Sequence, residues 1–481
     1  MTSNEKKYFY ITTTIPYVNA DPHIGFALEL VQSDAIARYQ RLGGRDVFFS
    51  TGTDEYGQKI WEASQQEGKN IQDYVDSYAQ KFLELKETLN LSYDNFIRTT
   101  SREHIAAAQE FWRLCDAKGD IYKKVYRGLY CVGCEKFITE KDLKDGKCLF
   151  HPNQKPEIVE EENYFFKLTK YKTELLQYLS SKQAIIPEWR RKEAIDFVEN
   201  GMEDFSISRS KERLSWGIPI PGDDTQVMYV WFGALVNYIS TLGWPGDKER
   251  FEKFWVEGEH IQTAGKDMVK FQSVMWQGML SSAGLPNTDT IVYHGFITGE
   301  GGIKMSKSIG NVINPVEIVK EYGTDALRYF LLREISPFED SPFTMERFKE
   351  AYNANLANGL GNLVSRVMTM AENNLEDPVV IDKFSFYDDF IKNIEIYNLQ
   401  KACDIVWLEI GLNDLAIQEN QPFKLIKTEP EKAKDMIIKL VVRLYRIADH
   451  LELLLPETAG KIKKLIKENK KPEQPLFPRK D

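Results

Sequence analysis

Residues 8–56 constrain the fold more than any other stretch of the chain. The run Tyr8-Phe9-Tyr10-Ile11-Thr12-Thr13-Thr14-Ile15-Pro16-Tyr17 is rich in β-branched and aromatic residues and closes on a proline, as a strand entering a loop does. Ile24, Leu28, Val31, Ala35 and Tyr39 then recur at helical spacing. Asp21 fits the N-cap, Pro22 the first helical position and Gly43-Gly44 the stop. Val47-Phe48-Phe49 opens a second strand that runs into polar Thr51-Gly52-Thr53-Asp54-Glu55. Strand, helix and strand in that order predict a βαβ unit, and with it a parallel sheet in an α/β fold.

Beyond residue 56 the pattern stays mixed. Helical periodicity covers 71–89 and 101–118, and strands are predicted at 260–265 and 290–298. A strand-to-helix element starts near Gln226. Segment 119–160 differs, being rich in Cys, Gly, Lys and Asp with short β pieces, so it reads as an insertion into a sheet protein. Past about residue 344 the periodicity is helical to the end, punctuated by Pro378, Pro422, Pro430 and Pro456, which predicts an appended helix bundle.

Composition narrows the class. Apolar residues make up 42% and charged residues 28% of 481, a globular balance. No stretch approaches the roughly 18 apolar residues of a membrane span, and the N-terminus has no apolar leader, so a cytoplasmic, membrane-free protein is expected. Five cysteines rule out a disulfide scaffold, and three of them crowd between 131 and 148, which points to a metal. The net charge of −10 argues against a non-specific nucleic-acid binder. The charge is uneven, however. Residues 431–481 carry +5, as one specific polyanion would require, although a solvated helix face is the commoner cause.

Three constellations carry chemistry. Pro22-His23-Ile24-Gly25 stands at a predicted helix start, where unpaired N–H groups and the helix dipole suit phosphate. Taken alone, a His-x-Gly is more often a cap. Gly299-Glu300-Gly301-Gly302-Ile303-Lys304-Met305-Ser306-Lys307-Ser308 joins a glycine-rich turn to two lysines and two serines, with no acidic residue between 301 and 314. A mobile lysine loop of this kind can clamp a polyphosphate and follow charge as it develops. Cys131-x2-Cys134-x13-Cys148-x2-His151 gives two chelating pairs, the spacing of a closed, structural tetrahedral Zn(II) site.

The first two constellations, about 280 residues apart, resemble the paired signatures of class I aminoacyl-tRNA synthetases. Over nearly its whole length the chain is similar to the methionyl-tRNA synthetase family. The resemblance rests on Ile15-Pro16-Tyr17-Val18-Asn19, Thr51-Gly52-Thr53-Asp54-Glu55, Asp204-Phe205-Ser206-Ile207-Ser208-Arg209, Tyr229-Val230-Trp231, Gly265-Lys266-Asp267, His294-Gly295-Phe296 and Asn355-Leu356-Ala357-Asn358.

It implies a Rossmann-like catalytic domain in two halves, 1–118 and 226–330. A connective insertion would span 119–225 with its zinc knuckle at about 125–160. A linker or stem-contact region (331–350) and a helical anticodon-binding domain (351–481) would follow. It implies a ligase that activates L-methionine with Mg(II)-ATP and charges tRNA(Met). His23, Lys304 and Lys307 would be catalytic, and Pro22, Gly25, Gly265, Asp267, His294, Ser306 and Ser308 would join them around ATP. Ile15, Tyr17, Asp54, Trp231, Leu235, Tyr238, Met268 and Phe271 would hold methionine, with Asp54 on its ammonium. Asn362, Arg366 and Phe423 would read the anticodon.

The chain departs from the family at Phe26, where a second His is usual, and at Gly233, where an Asp is expected. It departs again at Gln272 in place of His and at Phe423 in place of Trp. A synthetase for another apolar amino acid and a non-enzymatic tRNA-binding homologue are the alternatives. The span between signatures is too short for a large editing insertion, and both lysines are intact. No appended β-rich dimerisation domain is read at the C-terminus, so a monomer is expected.

Overall fold

The computed structural model describes residues 6–131, 136–138, 140–149, 155–303, 305, 312–381 and 386–480. It forms two compact units. One comprises Met1–Pro22, Gly43–Glu84 and Tyr93–Tyr293; the other comprises His23–Leu42, Leu85–Ser92 and His294–Asp481.

The first unit is α/β. Its strands include β1 (Tyr8–Thr12), β2 (Asp46–Thr53), β3 (Asn95–Arg98), β4 (Ile121–Cys131), β5 (Lys136–Ile138), β6 (Glu157–Phe166), β7 (Ile185–Ile186), β8 (Phe205–Ser206), β9 (Glu259–Gly265) and β10 (Thr290–His294). Six of them form a sheet in the order β3-β2-β1-β9-β10-β7. β1 pairs in parallel with both β2 and β9, β2 with β3, and β10 with β7. β1, β9 and β10 are buried almost throughout, as parallel strands covered on both faces must be. From β1 the chain goes to β2 on one side, whereas β9 leads to β10 on the other. The order therefore reverses between β1 and β9, and a crevice is expected beyond the carboxyl ends of these two strands.

The insertion builds a second, antiparallel sheet in the order β8-β6-β4-β5. β4 and β6 pair from Ile121↔Phe166 to Tyr130↔Glu157, a longer ribbon than the short β pieces expected there. Behind both sheets, Phe111 stacks on Trp276 at 5.5 Å and meets Phe232 and Trp244 edge-on at 6.0 Å each.

The second unit is mainly helical and includes α1 (Ile24–Leu42), α2 (Thr324–Tyr329), α3 (Asn362–Asn374), α4 (Asp388–Glu395), α5 (Leu399–Asn420), α6 (Pro422–Leu425), α7 (Pro430–Leu454) and α8 (Pro456–Glu468). Among the described residues, no helix of the chain is long and apolar enough to cross a membrane.

Helix α1 differs from its expectation in two ways. It begins at Ile24, not Pro22, because His23 caps it and Asp21 instead pairs with Lys81 at 2.6 Å. It is also buried on nearly every face, Glu29, Gln32, Ser33 and Asp34 included, where the periodicity suggested one apolar stripe. Buried polar groups need partners. Asp34 receives Arg38 Nε at 2.7 Å, Arg328 Nη1 at 2.8 Å, and the Ser92 N–H and hydroxyl at 2.6 and 2.7 Å. Arg328, itself fully buried, also donates to the carbonyls of Leu89, Leu453 and Leu454.

Burial alone would raise the Asp34 carboxyl. Arg328, Arg38 and Ser92 more than offset it and hold the group below the usual carboxylate range. Its contribution to stability is therefore complete above about pH 3.9 and is lost as pH falls below that value. Arg328→Met should cost about 3–5 kcal/mol at pH 7, because it strands a buried carboxylate. Urea unfolding checks this. The deficit should shrink on acidification, and an unchanged midpoint at pH 7 would contradict the assignment.

Candidate functional site

The residues expected around an amino acid converge at the carboxyl ends of the first unit's strands. Ile15 and Tyr17 follow β1, Asp54 follows β2, Gly265 ends β9, and Asp267 and Met268 follow it. A parallel bridge locks Tyr17 beside Asp54, with Asp54 N donating to Pro16 O at 2.9 Å and Val18 N to Asp54 O at 3.3 Å.

Trp231 and Leu235 come from the helix Val230–Leu235, and Tyr238 from the turn after it. Trp231 stacks on Phe271 with centroids 3.9 Å apart and planes at 17°, and Tyr17 meets it edge-on at 6.2 Å. Tyr238 is fully buried and tilted against Trp276. Three rings and a carboxylate thus share one strand-end crevice, a setting for an apolar side chain with a cationic end.

The neighbours decide which carboxylate serves. Glu55, adjacent and fully buried, takes Arg98 through Nε at 2.6 Å and Nη2 at 2.9 Å. Asp54 Oδ1 accepts from Tyr56 N at 3.3 Å and the Thr99 hydroxyl at 3.4 Å. The guanidinium is therefore spent on Glu55. The Glu55–Arg98 pair was not legible in the sequence, since its partners are 43 residues apart.

The departures in this unit have structural counterparts. Gln272 is fully buried in a π-helical turn, Phe271–Trp276, and its amide Nε2 donates to the Tyr238 hydroxyl at 2.5 Å. Such turns recur at functional sites. At Gly233 an added Cβ would meet Ile218 Cδ1 at 3.1 Å, so an apolar side chain occupies the direction a carboxylate would take.

The phosphate candidates lie in the second unit, apart from Pro22, Gly265 and Asp267. His23 is the cap of α1. Its carbonyl accepts from Phe26 and Ala27, and its Nδ1 accepts from Gly25 N at 3.1 Å and Phe26 N at 3.4 Å. With Nδ1 accepting, a neutral imidazole carries its proton on Nε2. A Cβ on Gly25 would come within 3.0 Å of that ring, so the glycine also makes room for the cap.

Both flanks of the lysine loop are tied to α1. Ile24 N donates to Ile313 O at 3.0 Å, and His294 Nε2 lies 2.9 Å from Glu29 Oε2. His294 Nδ1 faces the Gly295 carbonyl at 2.7 Å, so both ring nitrogens of this buried histidine meet acceptors. Gly301 and Gly302 adopt φ of 69° and 76° in the turn closed by Gly299 N to Ile303 O, a conformation glycine permits. Lys304, Ser306, Lys307 and Ser308 lie outside the described residues.

Of the anticodon candidates, Asn362 is exposed at the start of α3, Arg366 pairs with Asp414 on α5, and Phe423 on α6 is 47% exposed. Of the zinc candidates, Cys131 and Cys148 are buried in one small cluster with Ile138, while Cys134 and His151 lie outside the described residues. Among the described residues no group of three or more His, Cys, Asp or Glu could hold a metal.

Phe26 is 7% exposed and packs in the core. Phe26→His should bury an imidazole in an apolar setting and lower unfolding stability by about 1–3 kcal/mol. Urea unfolding of the variant checks this, and wild-type stability would contradict the packing role.

Comparisons with known proteins agree with this geometry. The family model described as tRNA synthetases class I (M) matches residues 9–149 and 138–368. Among similar proteins, the methionine–tRNA ligase of Clostridium acetobutylicum is 41% identical, aligned over 96% of this chain and 73% of its own. That of Brucella suis is 40% identical over 96% and 91%. Among solved structures, Mycobacterium tuberculosis methionyl-tRNA synthetase in complex with methionyl-adenylate superposes with a TM-score of 0.89 at 35% identity, covering 98% of this chain and all of that one. By family model, sequence identity and fold together, the chain belongs to the methionyl branch of the class I aminoacyl-tRNA synthetases.

Proposed function

We propose that the chain is a methionine–tRNA ligase, working in two steps. The carboxylate of L-methionine attacks the α-phosphorus of Mg(II)-ATP and pyrophosphate leaves. The terminal ribose hydroxyl of tRNA(Met) then takes the methionyl group and AMP leaves. No covalent enzyme intermediate is involved, so positioning and charge stabilisation carry the rate. The observation that supports this reading most is the stacked Trp231–Phe271 pair beside Tyr17 and Asp54 at the strand ends. A thioether sits well against aromatic edges, and a carboxylate at the strand ends suits an ammonium. Tyr238, its hydroxyl fixed by Gln272, Leu235, Met268 and Ile15 complete the proposed methionine pocket.

For the nucleotide, Asp267, exposed just past β9, offers a carboxylate to ribose hydroxyls, and Gly265 leaves the backbone open to the base. His23 Nε2–H, the α1 N-terminus, Lys304 and Lys307 meet phosphate charge, with Ser306 and Ser308 as hydroxyl donors and His294 holding the segment that enters the loop. Mg(II) arrives with ATP. Asn362, Arg366 and Phe423 read the anticodon, and the setting is cytoplasmic. Charging of tRNA(Met) with labelled methionine by the purified chain tests the reading as a whole, and charging with another amino acid instead would refute it.

Lys307→Ala should slow adenylate formation by about 100- to 1,000-fold, as loss of one donor to developing charge does, with little change in methionine binding. Rapid-quench measurement of adenylate checks this; an unchanged rate would remove the loop from the mechanism.

Zn(II) is proposed for Cys131, Cys134, Cys148 and His151. The burial of Cys131 and Cys148 in one cluster fits a closed thiolate site. The metal would hold the insertion in shape and take no part in the chemistry. Elemental analysis under non-chelating conditions should find about one zinc per chain, reduced in Cys148→Ser. Zinc-free wild type would refute the site.

A further inference from the structure

The C-terminal part of the second unit is basic, and several of its cations are engaged in ion pairs. Lys432 pairs with Glu429, Lys434 with Glu431, Lys463 with Asp449 and Glu452, and Lys471 with Glu372. Arg366, a candidate base reader, is committed to Asp414. Lys439 and Arg443 stand among those that are not, and they alone of these line a described cavity. They lie one turn apart on α7, so they share a face, both are exposed, and neither makes an ion pair or side-chain hydrogen bond among the described residues. Two like charges on adjacent turns repel, and here no carboxylate relieves them.

These two cations line a cavity of about 210 Å³ together with Asn420, Pro422, Met436 and Leu440, and none of its lining residues is acidic. A second cavity in the same unit, about 480 Å³, includes Glu376, Asp377, Glu431 and Asp435 in its wall and would repel an anion. At the rim of the first cavity the chain turns through Gln421 at φ 44° and ψ 53°, a left-handed conformation that a non-glycine residue adopts only when its surroundings impose it. That turn starts α6, seats Pro422 against the cavity and leaves the next ring, Phe423, 47% exposed. Cationic wall and apolar floor therefore meet at Pro422, the residue before the exposed ring.

We propose that Lys439 and Arg443 clamp a phosphodiester of a single-stranded RNA loop whose base stacks on Phe423. The proposal rests on the tRNA reading above and adds a backbone-binding site to the base-reading candidates. The chemistry fits the parts. A guanidinium presents paired N–H donors to two phosphate oxygens and the ammonium adds a point charge. Met436, Leu440 and Pro422 offer ribose an apolar floor, and an exposed ring gives a sequence-tolerant stacking face. Phosphate contacts fix register without reading sequence, so the clamp would position the loop that other residues read.

The test uses the full chain with both cations replaced, Lys439→Ala with Arg443→Ala. Its steady-state charging of tRNA(Met) is followed from 50 to 200 mM salt beside methionine-dependent ATP–pyrophosphate exchange, which needs no RNA. The KM for tRNA should rise about tenfold or more. The slope of log kcat/KM against log salt should become shallower by about 0.7–0.9, the loss of one phosphate contact, while exchange holds. The charge-keeping exchange, Lys439→Arg with Arg443→Lys, should keep most of the wild-type slope. An acceptor-stem minihelix without the anticodon loop should be charged alike by all three proteins.

An unchanged KM and slope would overturn the clamp. So would a parallel loss of exchange, which marks a structural role, or an equal loss on the minihelix, which marks a general polyanion effect. A wild type that charges no tRNA at all would sink the functional reading itself, and is told apart from a wild type that charges normally beside an indifferent variant.

Discussion

The arrangement depends on one helix that is buried where its sequence is polar. Along α1, Ile24 N holds Ile313, Glu29 holds His294 and Asp34 holds Arg328. Each contact exchanges a costly buried polar group for a fixed partner, and each partner lies far away in sequence. The first two grip the chain just before and just after the lysine loop. The helix that presents the His23 cap therefore also fixes both ends of that loop. The third ties the same helix to α2 and to the end of α7, so the bundle and the signature helix share one rigid frame.

The first unit obeys a different constraint. A parallel sheet whose order reverses between β1 and β9 leaves its strand ends facing an open crevice, and every first-unit candidate for the amino acid sits on a strand-end loop or the helix beside them. Rigid strands place the backbone there, and aromatic stacking sets the side chains. In the proposed pocket, specificity for an apolar side chain would rest on ring packing, and Asp54 and the Gln272-fixed Tyr238 hydroxyl would orient what enters.

Local signals in the sequence carried the elements. Strand composition located β1, β2, β9 and β10, and 3.6-residue periodicity located the C-terminal helices. What it missed was decided by partners distant in the chain. Asp21-Pro22 has the local form of a helix start, yet His23 has a ring nitrogen that reaches the next amides, so the cap moved two residues on. Glu29 and Asp34 read as polar positions on an amphipathic helix, because nothing in their neighbourhood announces His294 or Arg328. Gln272 was visible as a departure, but its bond to Tyr238 was not, since residues 34 apart meet only once the sheet is built. The Gln421 turn likewise looked like an ordinary loop before Pro422.

The central claim is that the strand-end crevice selects methionine for activation by ATP. The most direct measurement is the amino-acid dependence of ATP–pyrophosphate exchange in the purified chain, with methionine, leucine, isoleucine, valine and cysteine compared at equal concentration and without tRNA. The account predicts exchange with methionine and, since one methylene of misfit is worth about 1–3 kcal/mol, rates roughly 10- to 200-fold lower in kcat/KM with the nearest analogues. Equal exchange with leucine or isoleucine, or none with any of the five, would contradict it.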